Sequence, residues 1–301
     1  MSLTQDIRDA FSRRDNALNQ LIIINALVFA VLIILRAIFF ISQSDSYQPL
    51  MRQLALSSDG PTLLRHPWTL LTYAFVHEGF LHILFNMLNL YWFGQLIREY
   101  LGDRRLVSLY VLGALAGAAF FLLAYNFIPA LMPMVGQPVI GASASVTAII
   151  VAAATLLPDF TFMLFIVGAV KIKWIAVAVV LISLAGINGG NPGGEITHLG
   201  GALLGFVYIK MMQAGTDLGR PVVAVGNWFG RIFSQRPSSM RVTHRQPVAT
   251  GARSAGSSTK STGLSAAGQD EIDLILDKIS HSGYESLSKD EKQKLFRASQ
   301  Q

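Results

Sequence analysis

Residues 21–41 are apolar but for Asn25 and Arg36, and a run of that length is long enough to cross the hydrocarbon core of a bilayer. Five further apolar runs follow, at residues 81–97, 106–125, 143–157, 174–184 and 196–212. In lipid every backbone N–H and C=O must find its partner within the chain, so successive runs of this kind fold as helices packed side by side. The expected fold class is all-α, a polytopic membrane protein with a bundle of six transmembrane helices. With 52% hydrophobic and 14% charged residues, the chain is too apolar for an ordinary soluble protein. Its net charge of +6 is gathered in short connections and in the tail, as in loops facing the cytoplasm, so no nucleic-acid partner is expected. The absence of cysteine excludes disulfides, thiolate-held zinc and thiol catalysis. Neither a metal nor another cofactor is expected.

Four domains follow from composition. Residues 1–20 are a polar cytoplasmic segment, and the run after them is too long for a signal-peptide core, so it reads as a retained anchor. Residues 21–213 are the membrane domain, 214–268 a flexible cytosolic linker and 269–301 a small cytosolic helical hairpin. The linker is richest in Ser, Thr, Gly and Ala at residues 242–267, a flexible composition. In the hairpin Ile272, Ile275, Leu276 and Ile279 repeat at helical spacing, and Ser288 with Glu291 resembles a capping box. Within the membrane domain the long loop at residues 42–80 contains an amphipathic piece, 68–77, expected to lie in the membrane interface. The short apolar stretch 160–170 reads as interfacial or re-entrant. The glycine-rich connection 188–194 reads as mobile.

Orientation follows from Lys and Arg in the short connections. Arg8, Arg13 and Arg14 precede the first run, Arg98, Arg104 and Arg105 follow the second, Lys171 and Lys173 follow the fourth, and Lys210 with the basic tail ends the sixth. Arg52 and Arg65 are the exceptions. Both termini are then cytoplasmic, and the protein sits in a bacterial-type inner membrane. The second, fourth and sixth runs all begin on the outer side, so His82, Asn86, Ser143 and His198 fall at similar depth.

Polar groups within membrane spans are costly and so point to function. His82, Asn86 and Asn89 share one helical face, as do His198, Gly201, Ala202 and Gly205. The glycines let that face approach another helix closely. Gly141 precedes Ser143 at the head of a run short enough to begin below the membrane surface. His77 stands just outside a span, where water is its simplest surrounding. No acidic residue lies within residues 81–97, 143–157 or 196–212, so a Ser-His dyad is expected rather than a triad with Asp. In a dyad the imidazole takes the serine proton during attack on a carbonyl and returns it to the leaving amine. The backbone N–H of Ser143, the Asn86 amide and a His82 ring N–H are candidate donors to the oxyanion. Ser145 is the alternative nucleophile, rotated by about 200° from Ser143 on a helix.

Taken together, His82-Ile83-Leu84-Phe85-Asn86, Gly141-Ala142-Ser143 and His198-Leu199-Gly200-Gly201-Ala202-Leu203-Leu204-Gly205 resemble the rhomboid intramembrane serine proteases over about residues 68–212. The resemblance implies Ser143 as nucleophile, His198 as general base, and His82 and Asn86 in the oxyanion hole, with Gly141, Gly201, Gly205 and His77 supporting. It also implies a partly embedded first loop and single-span membrane proteins in the lipid bilayer as substrates. Three positions depart from the family pattern: Ala144 in place of a glycine after the nucleophile, Thr147 in place of an aromatic residue, and Thr69 in place of an arginine after Trp68. Rival readings are a catalytically silent rhomboid-like module that binds membrane proteins, favoured by Ala144 and Thr147, and a transporter, disfavoured by spans without acidic residues. The sequence sets neither the oligomeric state nor the substrate.

Overall fold

The computed structural model of the protein describes residues 16–164, 168–233 and 266–298, which divide into two compact units near residue 238. Most of the polar leader, 1–15, and of the linker, 242–265, lies outside the described residues. The first unit is built on α1 (Ala17–Ile41), α5 (Phe80–Leu101), α6 (Asp103–Phe127), α7 (Ser143–Leu156), α8 (Ile172–Gly186) and α9 (Pro192–Gln213), one helix for each apolar run. Between α1 and α5 lie α2 (Tyr47–Leu54), strand β1 (Leu56–Ser57), α3 (Gly60–Arg65) and α4 (Thr69–Thr72). Helices α1, α5 and α6 are long and apolar enough to cross a membrane, and α7 and α8 are shorter apolar helices. At 1.5 Å per residue the fourteen residues of α7 span about 21 Å, less than the ~30 Å hydrocarbon thickness. This helix therefore cannot reach both membrane surfaces.

Every residue from Ala144 to Ala154 is buried, which makes α7 the centre of the bundle. Close packing, rather than water exclusion, is what holds helices together in lipid. A side chain at Gly201 would run into the Ala144 carbonyl and one at Gly205 into the Ala148 carbonyl, so α9 lies with its backbone directly against α7. Outer faces carry half-exposed large aliphatics such as Val31, Ile34, Leu181 and Ile182, turned to the acyl chains.

Four sequence expectations are corrected. The end of the first loop is buried in the bundle rather than laid along its surface: Tyr73, Ala74, Val76 and His77 are each no more than 1% exposed. Polar anchors draw it inward, because the Tyr73 hydroxyl donates to the Ala114 carbonyl and the Tyr110 hydroxyl donates to that of Ala74, both at 2.7 Å. Within the stretch 160–170 the described residues form β3 (Thr161–Leu164) and the start of β4 (Gly168–Lys171), paired antiparallel with Thr161 opposite Lys171. The base of this pair is pinned by the Asp159 carboxylate, which accepts from the Lys171 and Lys173 ammonium groups at 2.9 Å. Helix α9 starts at Pro192 and absorbs the last three residues of the connection at 188–194, with Gly193 and Gly194 buried. The Asn191 side chain caps it by accepting from the Gly194 N–H at 3.0 Å, a preferred N-cap arrangement. Finally, α10 (Arg220–Phe233) is a helix inside what composition reads as linker.

The second unit, taken by itself, contains α11 (Ala266–Ser282) and α12 (Lys289–Ala298). The Ser288 hydroxyl accepts from the Glu291 N–H at 3.3 Å while the Glu291 carboxylate accepts from the Ser288 N–H at 2.7 Å. This reciprocal pair is a capping box.

Candidate active site

The position of Ser143 is set upstream of its own helix. Val139 pairs with Leu56 and Pro138 with Ser57, joining strand β2 (Pro138–Val139) to β1. The Gly141 N–H then donates to the Tyr73 carbonyl at 2.9 Å, and the Ala142 N–H donates to His77 Nε2 at 3.3 Å. Gly141 adopts φ +123°, and a Cβ there would stand 2.7 Å from His82 Nε2. Only glycine fits both demands. The chain enters α7 with Ala142 as N-cap, and the first intrahelical bond runs from the Val146 N–H to the Ala142 carbonyl at 2.9 Å. The N–H groups of Ser143 and its two successors therefore lack acceptors within the helix, a common source of anion stabilisation.

His77, expected in water, is buried and packs edge-on against His82 with ring centroids 5.0 Å apart. To accept from Ala142, Nε2 must be unprotonated, which puts the proton of the neutral ring on Nδ1. Burial, reinforced by the neighbouring His82, pushes the His77 pKa down to about 4. The neutral imidazole is thus a structural acceptor that shapes the Gly141–Ser143 turn.

A cavity of about 240 Å³ opens between α5, α7, α8 and α9, with Asn86, Ser143, Thr147, Ser183, Glu195 and His198 in its wall. The His198 Nδ1 lies 3.0 Å from the Ser183 hydroxyl and 3.2 Å from the Glu195 carboxylate. A carboxylate can only accept, so this pairing favours the tautomer with its proton on Nδ1 and leaves the Nε2 lone pair as the basic site. Neither the Ser143 hydroxyl nor His198 Nε2 makes a hydrogen bond among the described residues, and the two share the cavity without a direct bond between them. Unliganded hydrolytic sites are often this loose and tighten on substrate. Asn86 uses one amide hydrogen on the His82 carbonyl at 2.8 Å, leaving the other. Asn89 bonds in the same way to the Phe85 carbonyl at 2.8 Å.

The positions that depart from the family pattern fall in different surroundings. Ala144 is fully buried outside the cavity wall, where a Cβ placed on Gly117 would meet its methyl at 2.6 Å. Thr147 lines the cavity. The Thr69 hydroxyl folds back to donate to the His66 carbonyl at 2.7 Å. Gly201 and Gly205 serve helix contact rather than the cavity itself. Sequence reasoning missed Ser183 and Glu195. Glu195 lies one residue before the sixth apolar run but three before His198 on the same helix, a spacing that places both on one face. Ser183 is a lone hydroxyl inside an apolar run.

These features define a polytopic helical membrane protein whose polar side chains converge on one cavity within the bundle. The rhomboid domain family matches residues 64–214, half of the chain, and the chain belongs to the rhomboid family. A family of unknown function matches residues 265–301. Among curated relatives, the chain is 32% identical over 158 residues to RHOMBOID-like protein 12, mitochondrial, of Arabidopsis thaliana, covering 49% of this chain and 47% of that protein. It is 34% identical over 87 residues to rhomboid protease GlpG of Klebsiella pneumoniae, covering 29% and 31%. With rhomboid protein 1, mitochondrial, of Saccharomyces cerevisiae it shares 31% identity over 163 residues, covering 52% and 45%. The chain thus spans less than half the length of each of these relatives.

Proposed function

We propose that this rhomboid-family protein is an intramembrane serine endopeptidase that cleaves single-span membrane proteins. The observation that supports the proposal most is the shared cavity: Ser143 at the head of α7 and His198 on α9 line one open, largely apolar cleft, and the histidine's Nδ1 is already engaged. In this mechanism the Ser143 oxygen attacks the scissile carbonyl carbon while its proton passes to His198 Nε2. Collapse of the tetrahedral intermediate breaks the C–N bond, and the same proton goes to the leaving amine. Water, deprotonated by His198, then hydrolyses the acyl-serine. The Ser143 N–H, the second Asn86 amide hydrogen and the His82 ring donate to the oxyanion, and loss of one such donor typically raises the barrier by about 3 to 4 kcal/mol. The arginine-bearing face, where Arg98, Arg104 and Arg105 emerge, is assigned to the cytoplasm of a bacterial-type cell.

The test is labelling of reconstituted protein by a serine-directed fluorophosphonate, together with cleavage of a model single-span substrate. Wild type is expected to label and cleave, and Ser143→Ala to do neither. A folded wild-type protein that binds a membrane substrate yet neither labels nor cleaves would instead establish a silent binding module.

A further inference from the structure

Helix α10 follows the last span after a short turn that is fixed in place. Within that turn the Asp217 carboxylate accepts from the Gly219 N–H at 2.8 Å and from Arg105 Nε at 3.3 Å, and the Tyr208 hydroxyl donates to it at 3.4 Å. The turn is thereby tied to the starts of α6 and to the end of α9, which holds α10 at the level where the arginine-bearing ends of the spans leave the bilayer. Fourteen residues long, it covers about 21 Å. Val222 and Val223 are partly buried on the inner side, whereas Val225, Trp228 and Phe229, spaced to share one flank, are 55%, 58% and 50% exposed. A valine, a tryptophan and a phenylalanine left open beside the last membrane span are the apolar flank of an interfacial helix.

Next to that flank, between α10 and the start of α6, is a polar cavity of about 960 Å³ whose wall includes Asp103, Arg104, Arg105, Asp217, Arg220 and Asn227. Arg105 is paired with Asp217, and Asp103 accepts from the Ala17 N–H at 2.9 Å. Arg104 and Arg220 are exposed and make no salt bridge among the described residues. The wall thus sets three guanidinium groups against the carboxylates of Asp103 and Asp217, an excess of positive charge, and two of the three, Arg104 and Arg220, lie without a salt bridge among the described residues beside an exposed apolar flank.

We propose that α10 lies in the bilayer interface and, with Arg104 and Arg220, binds the phosphate of an acidic phospholipid whose acyl chains pass beside Val225, Trp228 and Phe229. Guanidinium groups suit a phosphate oxyanion, and a zwitterionic lipid offers no net charge for them to neutralise.

Because the chain has no cysteine, a single fluorescent label can be placed on full-length reconstituted protein through Val225→Cys, Phe229→Cys or Asn227→Cys. Labels at 225 and 229 are expected to be quenched by a lipid-borne quencher, and the label at 227 by aqueous iodide. Equal iodide quenching at all three positions would overturn the interfacial placement. Retention of phosphatidylglycerol over phosphatidylcholine is then measured on protein exchanged from mixed micelles. Neutralising each arginine, through Arg104→Gln and Arg220→Gln, should lower phosphatidylglycerol retention about five-fold, with unchanged elution on size exclusion showing that the variants remain folded. Wild-type retention by the double variant would overturn the headgroup site. Displacement of the lipid by an equal concentration of inorganic phosphate would overturn a lipid in favour of a free anion.

Discussion

The Ser145 hydroxyl donates to the main-chain carbonyl of Tyr110 at 2.7 Å, fully buried in the seam between α7 and α6. Ser143, two residues earlier, stands on the cavity wall. The bond separates two serines that composition alone leaves equivalent, since one hydroxyl is committed to helix packing and the other is open to a reactant. Ser143→Ala and His198→Ala should each abolish cleavage without unfolding the protein. Ser145→Ala should leave cleavage and fluorophosphonate labelling intact while lowering stability by about 1 kcal/mol. Thermal unfolding in detergent beside a cleavage assay measures both. A dead Ser145→Ala variant of normal stability would exchange the roles.

Glu195 and Ser183 both contact His198 Nδ1, so they are expected to act as positioning residues for the proposed base. Loss of the carboxylate in Glu195→Ala should lower kcat by about 10- to 100-fold, the scale of a misplaced catalytic group, with little change in KM. Glu195→Gln retains an acceptor oxygen and should restore much of the loss. The fluorophosphonate labelling rate should follow kcat across the series. A variant that raises KM alone would place Glu195 in substrate binding.

His77 predicts a pH effect on stability. Its folded pKa of about 4 lies below the ordinary histidine value of 6.5, so between those values the unfolded chain binds a proton that the folded protein refuses. Stability from this group is fully present above about pH 6.5, falls as pH drops through that window and levels off below about 4. The full loss is on the order of 3 kcal/mol. His77→Gln keeps an acceptor for the Ala142 N–H but does not titrate. Its melting temperature should therefore decline less than that of wild type between pH 7 and 4.5. Parallel declines would remove His77 as the sensor.

A peptide bond within a stable helix is shielded by its own hydrogen bonds, so the proposed chemistry requires local unwinding of substrate. Preferred substrates are expected to carry glycine or proline in the outer part of their span, where helix propensity is lowest. Replacing those residues with leucine in a cleaved model substrate should slow turnover several-fold at equal insertion. Undiminished cleavage would show that helix instability is not what the enzyme reads.

The spans were legible because length and apolarity are decisive in lipid, and all six apolar runs became helices. The serine and histidine stood out because polar groups are scarce there. Glu195 was lost to a boundary placed one residue too late, since α9 begins at Pro192, before the hydropathy rises. His77 looked wet because burial of 73–77 depends on bonds to Ala114 and Tyr110, partners distant in sequence. The β3–β4 hairpin and α10 escaped for another reason: four-residue strands carry little periodic signal, and a single amphipathic helix is diluted within a long polar tail.

The hydrogen bond from Ala142 to His77 joins residues 65 apart in sequence, and β1 with β2 makes a still longer connection. During synthesis the first loop leaves the ribosome before α7 exists, and α7 in turn precedes α9. The residues that cradle the serine from the first loop are therefore synthesised first, the serine second, and the histidine arrives with the final span. A nascent chain halted before α9 has its nucleophile but no His198, so the order of membrane insertion itself keeps the proposed protease silent until its final span is in place.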